Sequence, residues 1–240
     1  MMKILITNDD GVNAAQLLPL IRWAKTWAEV TVVVPKYEQS GKSMSIELHK
    51  PFEICKVELE PGVLSYTVDS SPADCVRFGV LGLKSRYDLV ISGVNRGYNL
   101  GHDIMYSGTV AAVCEAASQG LKAVALSTCP EYYDHAVDHL DRVFAYLKDN
   151  NLLERHSLYN INIPPQPGQV RITHQGGHYY SDDFVQWEGD LYKPVSKCIY
   201  EDQGDLTLDT DAVTHGCISI MPLTIDRTDY SVYHALTATE

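Results

Sequence analysis

Apolar residues fall in short runs separated by polar turns, and these runs alternate with stretches of helical spacing. Lys3 to Thr7 is an apolar run that ends in polar, turn-forming residues, which predicts a buried strand. From Ala14 to Trp27, the residues Leu17, Leu18, Leu20, Ile21, Ala24 and Trp27 mark one face of a helix, with Pro19 in its first turns. Val30 to Val34 is a β-branched run cut off by Pro35. Strand, helix, strand is the opening of a parallel sheet, because parallel neighbours need a crossover, and that crossover covers the sheet.

The alternation continues. Residues 36–44 read as a polar loop, and 52–69 as two shorter β segments around Pro61-Gly62. Pro72 to Leu83 reads as a helix with proline at its first position. Tyr87 to Ser92 is the next buried strand, followed by a long loop from Gly93 to Gly108. Thr109 to Gln119 is a helix stopped by Gly120, Ala123 to Ser127 a strand, 134–149 a helix, and Tyr159 to Ile163 a strand closed by Pro164-Pro165. The fold class is therefore α/β, a doubly wound, mostly parallel sheet. Past residue 165 the chain turns rich in Gly, Tyr, His and Asp, with short β pieces near 170–174, 191–199 and 216–221 and a solvated turn at Asp182-Asp183. The expected organisation is a core over 1–165 and a C-terminal β extension, an arm or hairpin, over 166–240.

Composition narrows the function. A chain of 240 residues buries enough surface to need no disulfide or structural metal. Its six cysteines form no CxxC or other close pair, so they read as reduced, small apolar residues. The formal net charge of -12 disfavours a nucleic-acid duplex as partner, but it leaves small anions open, since a metal ion inverts the field of an acidic site. Met1 to Gly11 does not read as a secretory signal, and nothing approaches the ~18 consecutive apolar residues of a membrane span. The expectation is a cytoplasmic protein with no membrane partner.

Three expected strand ends are polar, where doubly wound sheets bind ligands. They run into Asn8-Asp9-Asp10-Gly11, into Gln39-Ser40-Gly41, and into Gly93-Val94-Asn95-Arg96-Gly97. Adjacent carboxylates at a strand end repel, and a divalent cation relieves that. Carboxylates with hydroxyl and amide oxygens suit magnesium or manganese rather than zinc. The alternative makes Asn8 to Gly11 a turn and helix cap. Ser107-Gly108-Thr109 opens a helix and is either an anion site or a plain cap. No GxxxxGK[ST] occurs and no GxGxxG follows the first strand, which argues against a P-loop or nicotinamide enzyme. His102 and Asp103 lie in the long loop, and His174, His178, Tyr179 and Tyr180 in the late β region, where surface or packing roles are the simpler readings.

These segments together resemble the SurE family of survival-protein nucleotidases. The matching pieces are Ile4 to Gly11, Gln39 to Ser43, Ser71 to Cys75, Asp88 to Gly97, Asn99 to Gly101, Ser107 to Val110, Asn160 to Pro164, Thr210 to Val213 and Gly216 to Leu223. The chain departs from the family pattern at Ser70-Ser71 and at Gly176 to Tyr179, where the family often has arginines, and mildly at Gly216 to Ser219. The resemblance implies a Rossmann-like core with a C-terminal β extension used in subunit exchange, hence a homodimer or homotetramer. It implies a 5'-nucleotidase, a metal-dependent phosphomonoesterase acting on nucleoside 5'- and 3'-monophosphates, and in some members polyphosphate. Carried over by position, Asp9, Asp10, Ser40 and Asn95 hold one divalent ion per subunit, magnesium or manganese. Ser107, Gly108 and Thr109 hold phosphate, and Asn8 and Asn99 line the pocket. Asp9, Asp10 and Asn95 are then the catalytic residues, serving attack by a metal-activated water. The rivals are an aspartyl-phosphate route, for which the DxDx[TV] spacing is missing, glycosyl transfer, and a non-catalytic nucleotide sensor on the same fold.

Overall fold

The computed structural model describes residues 1–238. Strands β1 (Met2–Thr7), β2 (Ala28–Pro35), β4 (Leu64–Val68), β5 (Leu89–Arg96), β6 (Ala123–Thr128) and β7 (Leu158–Ile163) lie parallel, and β3 (Ile54–Val57) runs antiparallel along the β4 edge. With β8 (Val170–Ile172) and β11 (Ile218–Pro222), the nine-stranded sheet has the order β3-β4-β2-β1-β5-β6-β7-β11-β8. Its order reverses between β1 and β5, as in a Rossmann-like doubly wound fold.

Both faces of the sheet are buried, which explains the near-continuous apolar runs. Side chains alternate along a strand, so Ile4 and Ile6 face one core with Val32, Val34, Ile91 and Leu126, while Leu5 faces the other with Val33, Val90 and Ala125. Helix α1 (Leu17–Lys25) seals the first core with Leu17, Leu20, Ile21 and Ala24, and α4 (Leu140–Asp149) adds Leu140, Val143 and Leu147. Helices α2 (Pro72–Arg77) and α3 (Gly108–Ser118) cover the second. The small face of α3, with Ala112, Val113 and Ala116 fully buried, lets it lie close to the sheet.

Several expected elements shift. Helix α1 starts at Leu17 rather than Ala14, because residues 11–16 form a turn that closes on β2 through Val12 N–H to Pro35 O (2.9 Å). The expected helix 134–149 is a 3₁₀ turn, Pro130–His135, followed by α4. Strand β5 does not end at Ser92. After an irregularity, Asn95 pairs with Ser127 and Arg96 with Thr128, so the third polar loop begins at Gly97.

The segment after residue 165 divides between the sheet and the surface. Strands β8 (Val170–Ile172) and β11 (Ile218–Pro222) join the main sheet, with β11 antiparallel to β7, and α6 (Asp209–Thr214) packs against β11. The antiparallel hairpin β9 (Tyr180–Glu188) and β10 (Leu191–Cys198) forms a separate, exposed two-stranded sheet. Asp182 and Asp183, expected in a turn, lie within β9, where Asp182 Oδ1 accepts from Ser196 Oγ (2.7 Å) across the pair. Two short helices complete the chain, α5 (Leu152–Arg155) before β7 and α7 (Tyr230–Thr237) near its end. Residues 239 and 240, part of the expected extension, lie outside the described residues. Among the described residues no helix is long and apolar enough to cross a membrane.

Candidate active site

The polar loops converge over the carboxyl ends of β1, β2 and β5. Beyond Thr7 the chain closes a tight turn: Asn8 Nδ2 donates to Gly11 O (3.0 Å) and Gly11 N–H donates to Asn8 Oδ1 (3.1 Å). Asn8, expected in the pocket lining, is buried and builds this turn, which fixes the backbone of Asp9 and Asp10. Gln39 N–H donates to Asp9 O (2.7 Å), lacing the second loop to the first. Arg96 N–H donates to Asp10 Oδ2 (3.2 Å), lacing the end of β5 to the same turn.

The start of α3 then meets Asp9. The Thr109 hydroxyl donates to Asp9 Oδ1, and Ser107 Oγ caps the helix by accepting from Val110 N–H (3.1 Å). A Cβ on Gly108 would lie 2.8 Å from Asp9 Cβ and 3.2 Å from Gln39 O, so this approach of helix to carboxylate needs glycine. The first motif forms the turn but caps no helix, since α1 begins only at Leu17, while the second caps α3; together they bring the acidic pair and a helix N-terminus into contact.

The other expected residues surround this contact. Ser40 is exposed and its hydroxyl donates to Glu38 Oε1 (2.9 Å). Asn95 is half-buried, and its Nδ2 donates to Gly97 O (2.8 Å), which leaves Oδ1 as its electron-pair donor. Asn99 is woven into the scaffold: its N–H donates to Asn162 Oδ1 (2.9 Å), its Nδ2 donates to Ser127 Oγ (2.8 Å), and its carbonyl accepts from the Asn160 and Asn162 amides (2.8 Å each). The rings of His102 and His178 meet edge to face at 4.4 Å, and Tyr179 stacks on Tyr200, so the late aromatic residues pack.

Burial and like charge act together on the acidic pair. Asp9 is 3% exposed, and burial raises its carboxyl above the ordinary range against the opposing pull of the Thr109 hydroxyl. Asp10 is pushed up to about 6, by burial first and by the charge of Asp9 second. Glu38 adds a weaker push to both. Among the described residues neither aspartate has an ion pair with Lys, Arg or His. No group of three or more His, Cys, Asp or Glu among those residues is placed to hold an ion, and a cation held at this point would have two carboxylates, with neutral oxygens and water to complete its shell. That donor set fits magnesium or manganese, which take one or two carboxylates and keep several waters.

Sequence reasoning missed Asp209. It is fully buried at the start of α6, where Oδ2 accepts from Gly101 N–H (2.9 Å) and Oδ1 from Gly176 N–H (2.7 Å) and Thr210 N–H (2.8 Å). It ties the loop leading into α3 to the base of the β9–β10 hairpin. Asn160 and Asn162 left a fainter signal: two asparagines at period two in an apolar strand share a face and need partners. A cleft of about 580 Å³, lined by Trp23, Trp27 and Phe144, opens near Met2 at the amino end of β1, away from Asp9 and Asp10.

A doubly wound α/β protein with an acidic, helix-capped site at its switch point is the class that fold and site define. The chain belongs to the SurE family: the family model described as survival protein SurE matches residues 4–182. It is 38% identical over 251 residues to a protein of Thermoanaerobacter sp. (strain X514) named 5'-nucleotidase SurE, covering 98% of this chain and 97% of that one. A protein of the same name from Natranaerobius thermophilus is 34% identical over 252 residues, with the same coverage. Among solved structures, the SurE protein from Aquifex aeolicus superposes with a TM-score of 0.77 at 27% identity over 99% of each chain.

Proposed function

We propose that this protein is a divalent-cation-dependent phosphomonoesterase that hydrolyses nucleoside 5'-monophosphates and also accepts 3'-monophosphates. The observation that carries this is the contact between the Asp9–Asp10 pair and the N-terminus of α3. One element attracts a cation, the other an anion, and a phosphate bridges them. The names of the relatives support the nucleotide as substrate.

In this reading Asp9, Asp10, Ser40 and Asn95 hold one magnesium or manganese ion per subunit. Bound there, the ion supplies Lewis acidity toward a phosphoryl oxygen and lowers the pKa of water in its shell. The chain's own groups do the rest. At the positive end of α3 the Val110 N–H is taken by the Ser107 cap and the Thr109 N–H by the Asp9 carboxylate, so the Gly108 N–H is the one that receives an equatorial phosphoryl oxygen. The Thr109 hydroxyl holds Asp9 in one orientation. Asp10 is the less buried of the two and accepts a proton from the attacking water.

The test is phosphate release from a panel of nucleoside monophosphates, in chelator and then with added magnesium or manganese. Release restored by metal is the expected result. Tight nucleotide binding without release at any metal concentration would leave a sensor on the same fold. A cytoplasmic location belongs to the same proposal, and cell fractionation checks it.

The hairpin supports a homo-oligomer formed through the C-terminal extension, a dimer or tetramer. Phe184, Trp187, Leu191 and Tyr192 are all more than 60% exposed on a sheet of only two strands, an arrangement that is marginal alone in water. Light scattering on a Phe184→Ser, Trp187→Ser variant is expected to give a protomer mass where the native chain gives a multiple. A native chain that runs as a protomer would overturn this.

A further inference from the structure

A cavity of about 400 Å³ opens beside Asp10, between the 11–16 turn and the 3₁₀ turn Pro130–His135. Its volume lies within the range of small-ligand sites, roughly 300–1,000 Å³. Tyr133 contributes a wall. It is 7% exposed, and its hydroxyl lies 3.4 Å from Asp10 Oδ2. Ala14 contributes an apolar patch, and Asn13, Arg96 and Asp134 supply polar groups.

Those three polar side chains share a property. None makes a side-chain hydrogen bond or ion pair with another described residue, although the chain carries many other such pairs. Arg96 is held only by its backbone, through the N–H bond to Asp10 and the pairing with Thr128. An amide, a guanidinium and a carboxylate thus stand unpaired around a partly aromatic recess whose edge is a residue of the acidic pair.

We infer that this cavity receives the nucleoside half of the substrate, an assignment that rests on the phosphatase reading above. The chemistry matches group by group. The Asp134 carboxylate accepts hydrogen bonds from ribose hydroxyls, and the Asn13 amide donates or accepts beside it. The planar Arg96 guanidinium lies against the face of the base, which it engages whatever the base's edge carries. Recognition of this kind selects a nucleoside over a simple alcohol while discriminating weakly among bases. The phosphate sits over the junction of the acidic pair and the α3 N-terminus, and Asp10 marks where its ester leaves toward the cavity.

Arg96→Ala and Asp134→Ala test this, since both side chains are exposed and neither supports the fold. The readout is kcat/KM for AMP divided by kcat/KM for phenyl phosphate, which carries the same phosphoryl group and no nucleoside. Each variant is expected to lower that ratio about ten-fold, chiefly through the KM for AMP. An unchanged ratio in both variants overturns the cavity assignment and leaves the phosphatase standing. If the native chain, loaded with metal, releases phosphate from neither substrate, the phosphatase reading itself falls and the cavity assignment with it.

Discussion

Asp9→Asn leaves a folded protein whose phosphate release has dropped about a thousand-fold or more, a loss near 4 kcal/mol in the barrier. The size follows from what the carboxylate does in the proposed reaction: with Asp10 it supplies the only negative ligands for the cation. The fold should tolerate the change. An asparagine Oδ1 still accepts the Thr109 hydroxyl, and the substitution removes a charge that burial already disfavours. Initial rates and thermal unfolding, measured on one preparation, check both halves. Near-native turnover contradicts the catalytic assignment. A collapse in melting temperature makes Asp9 a structural residue instead.

Asp209→Ala is expected to cost about 3–5 kcal/mol of stability, one of the largest losses any single substitution here should produce. It would strip acceptors from the Gly101, Gly176 and Thr210 N–H groups at a fully buried point, and orphaned buried donors cost about 1–3 kcal/mol each. At about 2–4 °C per kcal/mol for a chain of this size, the melting temperature should fall by roughly 10 °C. Asp209→Asn keeps one acceptor oxygen but turns a second donor toward an N–H, so its loss falls between the native protein and the alanine variant. Denaturant unfolding measures all three. A change below about 1 kcal/mol for alanine would mean that water reaches these groups and that Asp209 is no anchor.

The parts of the fold legible in the sequence are those where local pattern and burial agree. β1, β2, β6 and β7 are buried on both faces, so each is written as an apolar run bounded by turn formers. The continuation of β5 past Ser92 was hidden because Gly93 and Asn95 have loop composition, while pairing with β6 carries them on as strand. β9 was hidden for the opposite reason: all of its residues are exposed, so nothing imposes an alternation on Asp182, Phe184, Val185 and Trp187. The Cys217 to Met221 run shows a strand, but nothing local shows that it returns to lie beside β7. The site divides the same way. Asp9 and Asp10 stand out as adjacent charges at a strand end, whereas Asp209 sits among Glu201, Asp202, Asp205 and Asp211, where only tertiary packing selects the one that is buried against Gly101.

The most direct test of the acidic pair as a cation site is a calorimetric titration of manganese into chelator-treated protein, native and Asp9→Asn side by side. One ion per chain in the native protein, with binding lost or weakened at least about a hundred-fold in the variant, is the predicted result. No binding to the native chain, or equal binding to both, would contradict the site at the carboxyl end of β1 and with it the mechanism built on it.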